Sequence, residues 1–422
     1  MDIAVIALGS RGDVQPYIAL GIGFKRAGHA VRLITHENYR RLVESSGLGF
    51  YPARGDVQAF AESDEMRDLL ASGNFFKITA KTASAAKEAA AHWAEDGLAG
   101  SKGADLLLAG YGGMSLGLAL SEKLGIPLIH AHVFPFTPTN EFASVLLPQN
   151  LAKLGRTVNL LSHHLTRQIM WQGIRAGDNV IRQKLGLPSV PFWGPYRSES
   201  YARFPVLYGF SSHVIPKPTD WKNAHVTGYW FLDASGNWTP PDDLVQFIQA
   251  GPKPIYIGFG SMGNRNPEET KQLVLDAVDR SGQRAILLSG WSGFAKEDIP
   301  DTVYLAESLP HTWLFKQVAA VVHHGGAGTT AAGLRAGVPS ILIPFFGDQG
   351  FWGDRVYKLG VGPKPIPRKR LTAELLAEAI QQSVSDVKMQ QRAGELGAKI
   401  QSEDGVANAV EIIESAVNEA VF

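Results

Sequence analysis

A histidine, a run of glycines and two threonines lie together in the segment HHGGAGTT, residues 323–330. Glycines allow backbone N–H groups to approach phosphate oxygens, and the first turn of a helix carries unpaired N–H groups and partial positive charge. His324 ends an apolar run and can donate a hydrogen bond to the same anion, whereas His323 points the other way along the strand and is interpreted as structural. The segment predicts a diphosphate site. Its binding residues are His324, Gly326, Ala327, Gly328 and Thr329.

A carboxylate and an amide, Asp348 and Gln349, follow the next apolar strand, about twenty residues further on. The pair is either a simple turn after Pro344 or a site for sugar hydroxyls. We favour sugar recognition, because the pair follows a strand end in the same domain as the predicted diphosphate turn.

The N-terminal half offers an acid, Asp13, in the segment GSRGDVQP at residues 9–16. Its glycines allow a tight turn from strand to helix, so Asp13 lies near the helix start, either as a helix cap or as a general base. The helix dipole and Arg11 lower the pKa of such a carboxyl, whereas a closed apolar pocket raises it, and the sequence leaves the direction open. We interpret Asp13 as a general base, because a site that binds a diphosphate-linked group donor requires a second group, opposite it, that takes the proton of the acceptor. Ser10, Arg11 and Gly12 are expected to add donor or cleft contacts.

A further glycine-rich segment, GFGSMG at residues 258–263, has the G-x-G-x-x-G spacing of dinucleotide-binding folds. That fingerprint requires the helix to open within the glycine run, but the helix start signal here is Asn266-Pro267, and no acidic residue ends the next strand. An NAD-dependent oxidoreductase is therefore an alternative that only the spacing supports. Ser261 is expected to contact the nucleotide, and Trp291 is a further expected donor contact.

Short apolar runs alternate with helix-length segments in both halves of the chain. Such a pattern indicates parallel sheets covered on both faces, with ligands at the carboxyl ends of the strands. The predicted fold class is α/β, with two doubly wound Rossmann-like domains facing each other across a cleft. Strands are predicted at 3–8, 31–35, 105–109, 127–130, 254–259, 285–289, 303–306, 319–322 and 340–344.

Residues 1–215 are predicted to form an acceptor-binding domain, 216–241 an interdomain linker and 242–402 a domain that binds the donor. Residues from about 205 to 241 are rich in Gly, Pro, Asn and aromatics without a clear period, and we interpret them as the last N-domain strands followed by the connection. Residues 403–422 have apolar side chains at i, i+3, i+4 spacing, so we expect an amphipathic helix that packs back on the N-terminal domain.

The 422 residues carry 40 Lys and Arg against 40 Asp and Glu, which gives no attraction for nucleic acid, and there is no cysteine. No acids or histidines have metal-ligand spacing, so no metal is expected. The chain begins directly with a strand-like run, and its longest uncharged stretch, 106–121, is too short to span a bilayer. We expect a soluble, cytoplasmic protein with at most peripheral membrane contact through a basic cluster. That cluster is Lys364, Arg368, Lys369 and Arg370.

These motifs, together with TGYWFLD and PHTWLF, resemble the family 1 nucleotide-sugar glycosyltransferases of the GT-B fold, most closely the sterol 3-beta-glucosyltransferases. The resemblance spans nearly the whole chain. It implies inverting, metal-independent transfer of glucose from UDP-glucose, as co-substrate, to the hydroxyl of a sterol or similar apolar alcohol. It also implies that Asp13 is the general base, that His324 and residues 326–329 hold the diphosphate, and that Asp348 and Gln349 hold the sugar.

Three positions depart from the plant members of that family. Those enzymes pair a histidine base with a buried aspartate after a later strand, which here ends in Ala109-Gly110, and this agrees with Asp13 acting alone. Their ribose-binding glutamate aligns with Ala332, and their uracil-stacking tryptophan falls near Ser308. UDP versus dTDP therefore stays open. The alternatives are a dTDP- or UDP-sugar glycosyltransferase for a polyketide, flavonoid or antibiotic aglycone, and a binding protein that retains the fold without catalysis.

The acceptor pocket is expected from two poorly patterned stretches, 51–93 and 134–210, whose aromatic side chains suit an apolar ligand and a hydrophobic core equally well. Those residues are Phe75, Phe76, Phe134, Phe136, Trp171 and Trp193. They do not distinguish a sterol from a triterpenoid or a flavonoid, and no pattern indicates the oligomeric state.

Overall fold

The computed structural model describes residues 1–56, 59–60, 63, 65–66, 68–69, 75–233, 238–259, 267–288 and 299–421. The chain divides into two compact units. The first unit comprises Met1–Phe60, Phe76–Leu232 and Glu403–Phe422, and the second comprises Ala61–Phe75 and Asp233–Ser402. Each unit contains one parallel sheet connected by helices, which confirms the predicted α/β class.

The first unit is built on seven parallel strands in the order β3-β2-β1-β4-β5-β6-β7. The strands are β1 (Asp2–Ile6), β2 (Ala30–Thr35), β3 (Gly49–Pro52), β4 (Leu106–Ala109), β5 (Leu128–His132), β6 (Val206–Tyr208) and β7 (Ala224–Val226). Ile6 of β1 pairs with Ile34 of β2 and with Ala109 of β4. The segments that follow β1 and β4 therefore leave the sheet next to each other.

Helices connect these strands. They are α1 (Arg11–Arg26), α2 (Arg40–Ser45), α3 (Phe75–Gly100), α4 (Met114–Leu124), α5 (Arg156–Leu185) and α6 (Glu199–Ala202). Two short 3₁₀ turns, Glu37–Tyr39 and Gln149–Leu154, precede α2 and α5. α1 starts directly after the turn that follows β1, so its first residues lie at the carboxyl edge of the sheet.

The second unit has five parallel strands in the order β10-β9-β8-β11-β12. They are β8 (Ile255–Gly258), β9 (Ala285–Leu288), β10 (Val303–Ala306), β11 (Val321–His323) and β12 (Ser340–Leu342). His323 pairs with Gly258 of β8 and with Leu342 of β12, so these three strands end side by side. Loops that follow them gather at one edge of the sheet.

The helices of the second unit are α7 (Asp242–Gln249), α8 (Pro267–Ser281), α9 (His311–Leu314), α10 (Ala327–Ala336), α11 (Gln349–Leu359), α12 (Ala373–Ser385) and α13 (Val387–Gln401). A 3₁₀ turn, Arg368–Arg370, precedes α12. α8 begins at Pro267, as the start signal predicts, so its N-terminus comes after the glycine run and not within it.

The last helix, α14 (Gly405–Val421), belongs to the first unit and packs on α1. Ala409, Val410 and Ile413 form its buried face, which confirms the amphipathic helix. Gly23 of α1 is required at the crossing, because any side chain there would overlap Val406.

The nine predicted strands all occur, with ends that differ by at most two residues. β3 is missing from the prediction. β6 and β7 lie within residues 205–241, where the last N-domain strands were expected without bounds, and β7 falls inside 216–241, the stretch expected to be the linker. Strands of three or four residues with mixed burial carry too little apolar pattern to be recognised. Among the described residues, no helix is both long and apolar enough to cross a membrane.

Candidate functional site

The glycine turn of the second unit joins β11 to α10. Gly325 has a φ of +93°, which favours glycine, and Gly326 is the N-cap of α10. The backbone N–H and the hydroxyl of Thr330 both donate to the Gly326 carbonyl, each at 2.9 Å. The N–H groups of residues 327–329 lie in the first turn, where a helix offers no internal acceptor. The turn therefore presents backbone donors and the positive end of a helix at the edge of the sheet.

His324 lies directly over this helix start. A Cβ at Gly326 would be 2.5 Å from Nε2 of His324, so the ring can hold this position only because residue 326 is glycine. Burial lowers the pKa of His324 to about 4, and the ring is therefore neutral near pH 7. Its Nδ1 is buried and has no hydrogen-bond partner within the described part of the chain. A neutral imidazole in this position can donate one N–H to an anion at the turn.

His323 is turned into the sheet and is fully buried. Its Nδ1 accepts a hydrogen bond of 3.0 Å from the backbone N–H of Gly325. This bond holds the backbone of Gly325, the first residue after His324, so His323 fixes the backbone next to His324.

Asp348 and Gln349 lie at the start of α11, against the glycine turn. Asp348 is the N-cap, and its Oδ2 accepts a hydrogen bond of 2.8 Å from the indole N–H of the buried Trp352. A Cβ at Gly325 would lie 3.1 Å from the Gln349 carbonyl oxygen. The second unit thus brings the predicted diphosphate turn and the predicted sugar pair into contact.

The side-chain carbonyl of Gln349 has a structural task. Oε1 accepts hydrogen bonds from the backbone N–H groups of Phe345 and Phe346, at 2.7 and 3.2 Å. It therefore fixes the loop between β12 and α11. Sequence reasoning did not anticipate this task, because it depends on how the loop folds back on the helix.

Asp13 is the third residue of α1, and Ser10 is the N-cap. The backbone N–H and the hydroxyl of Ser10 donate to Oδ2 of Asp13 at 2.9 and 2.8 Å. Gly9 has a φ of +138°, and a Cβ there would lie 2.6 Å from the same oxygen. Asp13 is thus not the cap itself but the reciprocal partner of the cap, as in a capping box.

The Asp13 carboxyl borders a small pocket of about 10 Å³ at the ends of β1 and β4. Its other lining residues are Ile6, Ala7, Leu8, Tyr17, Gly110, Tyr111, Gly112 and Gly113. Burial raises the pKa of Asp13, and the two hydrogen bonds from Ser10 offset part of this rise. The Arg11 side chain hydrogen-bonds Gln15 at 3.2 Å. Burial therefore outweighs the lowering by the Ser10 bonds, and Arg11, which was expected to lower this pKa, is not among the causes of the shift.

Tyr17 is a site residue that sequence reasoning did not identify. It lies one turn after Asp13, so the i, i+4 spacing was the available signal. Its hydroxyl donates a hydrogen bond of 2.6 Å to the Ala131 carbonyl, and it fills the space that any side chain at Gly110 would need. Glycine at 110 and tyrosine at 17 therefore depend on each other.

Tyr111 connects this pocket to an aromatic cluster. Its ring centroid lies 6.1 Å from that of Phe134 and 5.7 Å from that of Phe136. His132, at the end of β5, is 5.4 Å from Phe136. Two of the aromatics predicted for the acceptor therefore lie beside a residue that lines the Asp13 pocket.

The other predicted aromatics are distributed differently. Trp171 is fully buried in the first unit, and Trp193 is 70% exposed. The side chains of Phe75 and Phe76, and the predicted donor contacts Ser261 and Trp291, lie outside the described residues. No group of three or more His, Asp or Glu side chains suited to a metal ion occurs in the described part of the chain.

The chain matches two family domains. Residues 3–143 match the Glycosyltransferase family 28 N-terminal domain. Residues 273–416 match the Erythromycin biosynthesis protein CIII-like C-terminal domain. The first match includes Asp13, and the second includes His324, Asp348 and Gln349.

Two curated relatives are similar over nearly the whole chain. The sterol 3-beta-glucosyltransferase UGT80B1 of Arabidopsis thaliana is 38% identical over 97% of this chain and 67% of its own length. A sterol 3-beta-glucosyltransferase of Emericella nidulans is 37% identical over 98% of this chain and 30% of its own length. The chain thus spans about two thirds of the plant relative and less than a third of the fungal one.

Solved glycosyltransferases share the fold. The glycotransferase of kitacinnamycin superimposes with a TM-score of 0.68 at 17% sequence identity, and 98% of each chain is covered. At this identity the similarity concerns the architecture, which is the predicted GT-B fold.

Proposed function

Because the chain belongs to the glycosyltransferase family that contains the sterol 3-beta-glucosyltransferases, we propose that it transfers glucose from UDP-glucose to the hydroxyl of a sterol or a similarly apolar alcohol. The reaction inverts the anomeric carbon and requires no metal ion. The observation that carries the proposal is the Asp13 carboxyl, which borders a pocket while Ser10 holds one of its oxygens.

Asp13 is the proposed general base. The acceptor oxygen bonds to the anomeric carbon as its proton passes to Asp13, while the bond from that carbon to the diphosphate breaks and UDP leaves with the electron pair. Ser10 occupies Oδ2, and no hydrogen bond from the described residues reaches Oδ1, so Oδ1 is the atom that takes the proton. A raised pKa makes the carboxylate a stronger base than an exposed aspartate, which favours proton transfer.

The glycine turn is the proposed diphosphate site. The backbone N–H groups of residues 327–329 and the imidazole of His324 donate to phosphate oxygens, and the helix N-terminus adds partial positive charge. These donors stabilise the charge that develops on the leaving diphosphate, an effect that typically contributes much of the rate. Support comes from the neutral His324 ring and its position over Gly326.

Asp348 and Gln349 are the proposed sugar contacts. The Asp348 carboxylate accepts from glucose hydroxyls, oriented by its bond from Trp352, and the Gln349 amide N–H group donates to them. Ser261 and Trp291 are proposed to contact the donor as well. The aromatic residues next to Tyr111 are proposed to cover the apolar acceptor.

An acceptor screen with UDP-glucose, read by product mass and by released UDP, tests the proposal. A steryl glucoside formed in the presence of a chelator supports it. Donor binding without UDP release over the whole panel of sterols, triterpenoids and flavonoids would favour a catalytically silent protein.

A second candidate is transfer from a dTDP-sugar to an antibiotic-type aglycone. The C-terminal match to the Erythromycin biosynthesis protein CIII-like domain favours it. Competition between UDP-glucose and dTDP-glucose in a binding assay distinguishes the two. Tighter binding of dTDP-glucose would shift the assignment to this second candidate.

A further inference from the structure

Exposed apolar side chains are concentrated in one part of the first unit. Of the ten large hydrophobic side chains that are exposed among the described residues, six fall between residues 154 and 193. They are Leu154, Leu160, Leu161, Leu165, Phe192 and Trp193. The other four are scattered through the chain. Such a concentration on a folded protein marks a surface that meets something apolar.

Two of these side chains share one face of α5. Leu161 and Leu165 are one turn apart, and Gln168 and Gln172 continue the same face. Both glutamine side chains donate to the Phe192 carbonyl, at 3.1 and 2.9 Å. The loop that carries Phe192 is therefore fixed against the face on which the two leucines lie.

Trp193 and Leu154 complete this surface. The Trp193 ring contacts the Phe192 ring edge to face at 5.1 Å and is 70% exposed. Leu154 is the last residue of the 3₁₀ turn before α5, one residue before the N-cap, and is 67% exposed. We define the α5 surface as Leu154, Leu161, Leu165, Phe192 and Trp193.

Cations accompany the α5 surface. Residues 142–177 contain four cations and no Asp or Glu, although the whole chain is balanced. The exposed Lys153 and Arg156 flank Leu154, and the Arg175 guanidinium lies 5.4 Å from the Phe192 ring. The remaining cation of this segment, Arg167, is turned inward: it donates to the Phe136 carbonyl and lies 4.8 Å from the Tyr196 ring centroid, so it is not part of the rim. An apolar surface with a cationic rim is complementary to an anionic lipid bilayer.

We propose that the α5 surface docks the protein on an anionic lipid bilayer. The leucines and Trp193 enter the boundary between headgroups and acyl chains, where tryptophan is favoured, and the cations contact anionic headgroups. A second copy of the chain fits less well, because a two-fold interface would bring these cations against each other. Docking does not depend on the proposed function, but it would give that function access to a sterol acceptor, which resides in bilayers.

Cosedimentation with vesicles tests the docking. The wild type is expected to bind phosphatidylcholine vesicles that contain phosphatidylserine, to bind pure phosphatidylcholine less, and to dissociate at high salt. The pair Leu161→Gln and Leu165→Gln, and separately Trp193→Ala, should each weaken partitioning by ~10-fold. Val387→Gln is the matched control, because Val387 is 72% exposed in the second unit. Unchanged thermal unfolding verifies that the variants fold.

Three results would overturn the docking: a wild type that stays in solution with anionic vesicles, variants that bind as well as the wild type, and variants that lose only self-association. Turnover separates this proposal from the proposed function. The leucine pair variant should glucosylate cyclodextrin-solubilised sterol like the wild type but sterol in vesicles more slowly. A wild type that is inactive on both substrates contradicts the proposed function, while vesicle binding still decides the docking.

Discussion

Ser10 donates two hydrogen bonds to a single oxygen of Asp13, one from its backbone N–H at 2.9 Å and one from its hydroxyl at 2.8 Å. Both bonds stabilise the carboxylate, whereas burial stabilises the protonated acid, and burial is the larger effect. The pKa of Asp13 is therefore set by burial and by the Ser10 hydrogen bonds together, so removal of the Ser10 hydroxyl should change it.

Ser10→Ala removes one of the two bonds and should raise the pKa of Asp13 further. Because the carboxylate is the active form, the acid limb of the kcat/KM profile should move to higher pH, by about 1–2 pH units for a bond to a charged group. An acid limb that stays in place, or moves to lower pH, would contradict this prediction.

Gly326→Ala should displace His324, since the new Cβ would lie 2.5 Å from Nε2. The dissociation constant for UDP-glucose, measured by calorimetry, is expected to rise by ~10-fold or more, the usual cost of losing hydrogen bonds to a charged group. Gly394→Ala is the control, because nothing lies within 4 Å of its Cβ position in α13. Equal donor affinity in both variants would show that His324 does not need its place over the turn.

UDP-glucose binding should depend on the protonation of His324. Burial lowers its pKa to about 4 from an ordinary 6.5, and a bound diphosphate raises it again, so the complex holds more protons than the unbound protein. By linkage, the dissociation constant should fall as pH decreases from 6.5 towards 4. His324→Gln retains a donor that does not titrate and should flatten this dependence. The same pH slope in both proteins would remove His324 from the diphosphate site.

Folding stability should depend on His130 in acid. The ring is buried with no hydrogen-bond partner among the described residues, and burial lowers its pKa to about 3. Between pH 6.5 and 3, His130 is protonated in the unfolded chain but neutral in the folded protein. The stability present above pH 6.5 is therefore lost as the pH falls towards 3.

His130→Phe tests this prediction by urea unfolding at several pH values. It should reduce the slope of the unfolding free energy by about 1.4 kcal/mol per pH unit, which corresponds to one proton. Asp178, whose pKa is raised to about 6, acts in the opposite direction in both proteins and cancels in the comparison. Parallel slopes would show that His130 is protonated in the folded protein.

The elements that position the site were predictable to different degrees. β1 and β4 are buried at nearly every position, so their continuous apolar runs predict them. β3 is only partly buried and was missed. β6 and β7 lie in the stretch 205–241 where the last N-domain strands were expected, but with three residues each neither run length nor alternation fixes their bounds.

The glycine turns were recognisable because residue types fix their chemistry, but the packing around them was not. Tyr17 fills the space at Gly110 only because β1 and β4 pair in this register, and the Gln349 carbonyl is occupied only because the loop before α11 folds back. These contacts join residues whose proximity the linear sequence does not encode in any local pattern.

Turnover of Asp13→Asn with UDP-glucose and a sterol, measured beside the affinity for UDP-glucose, tests whether Asp13 is the general base. General base catalysis predicts a loss of ~10²–10⁴-fold in kcat with the dissociation constant for UDP-glucose unchanged. Asp404→Asn is the control. The Asp404 carboxylate accepts a hydrogen bond of 2.9 Å from the Ala407 N–H near the start of α14. It is a carboxylate at a helix start that does not border the Asp13 pocket. An Asp13→Asn enzyme that turns over near the wild-type rate would show that Asp13 is not the general base.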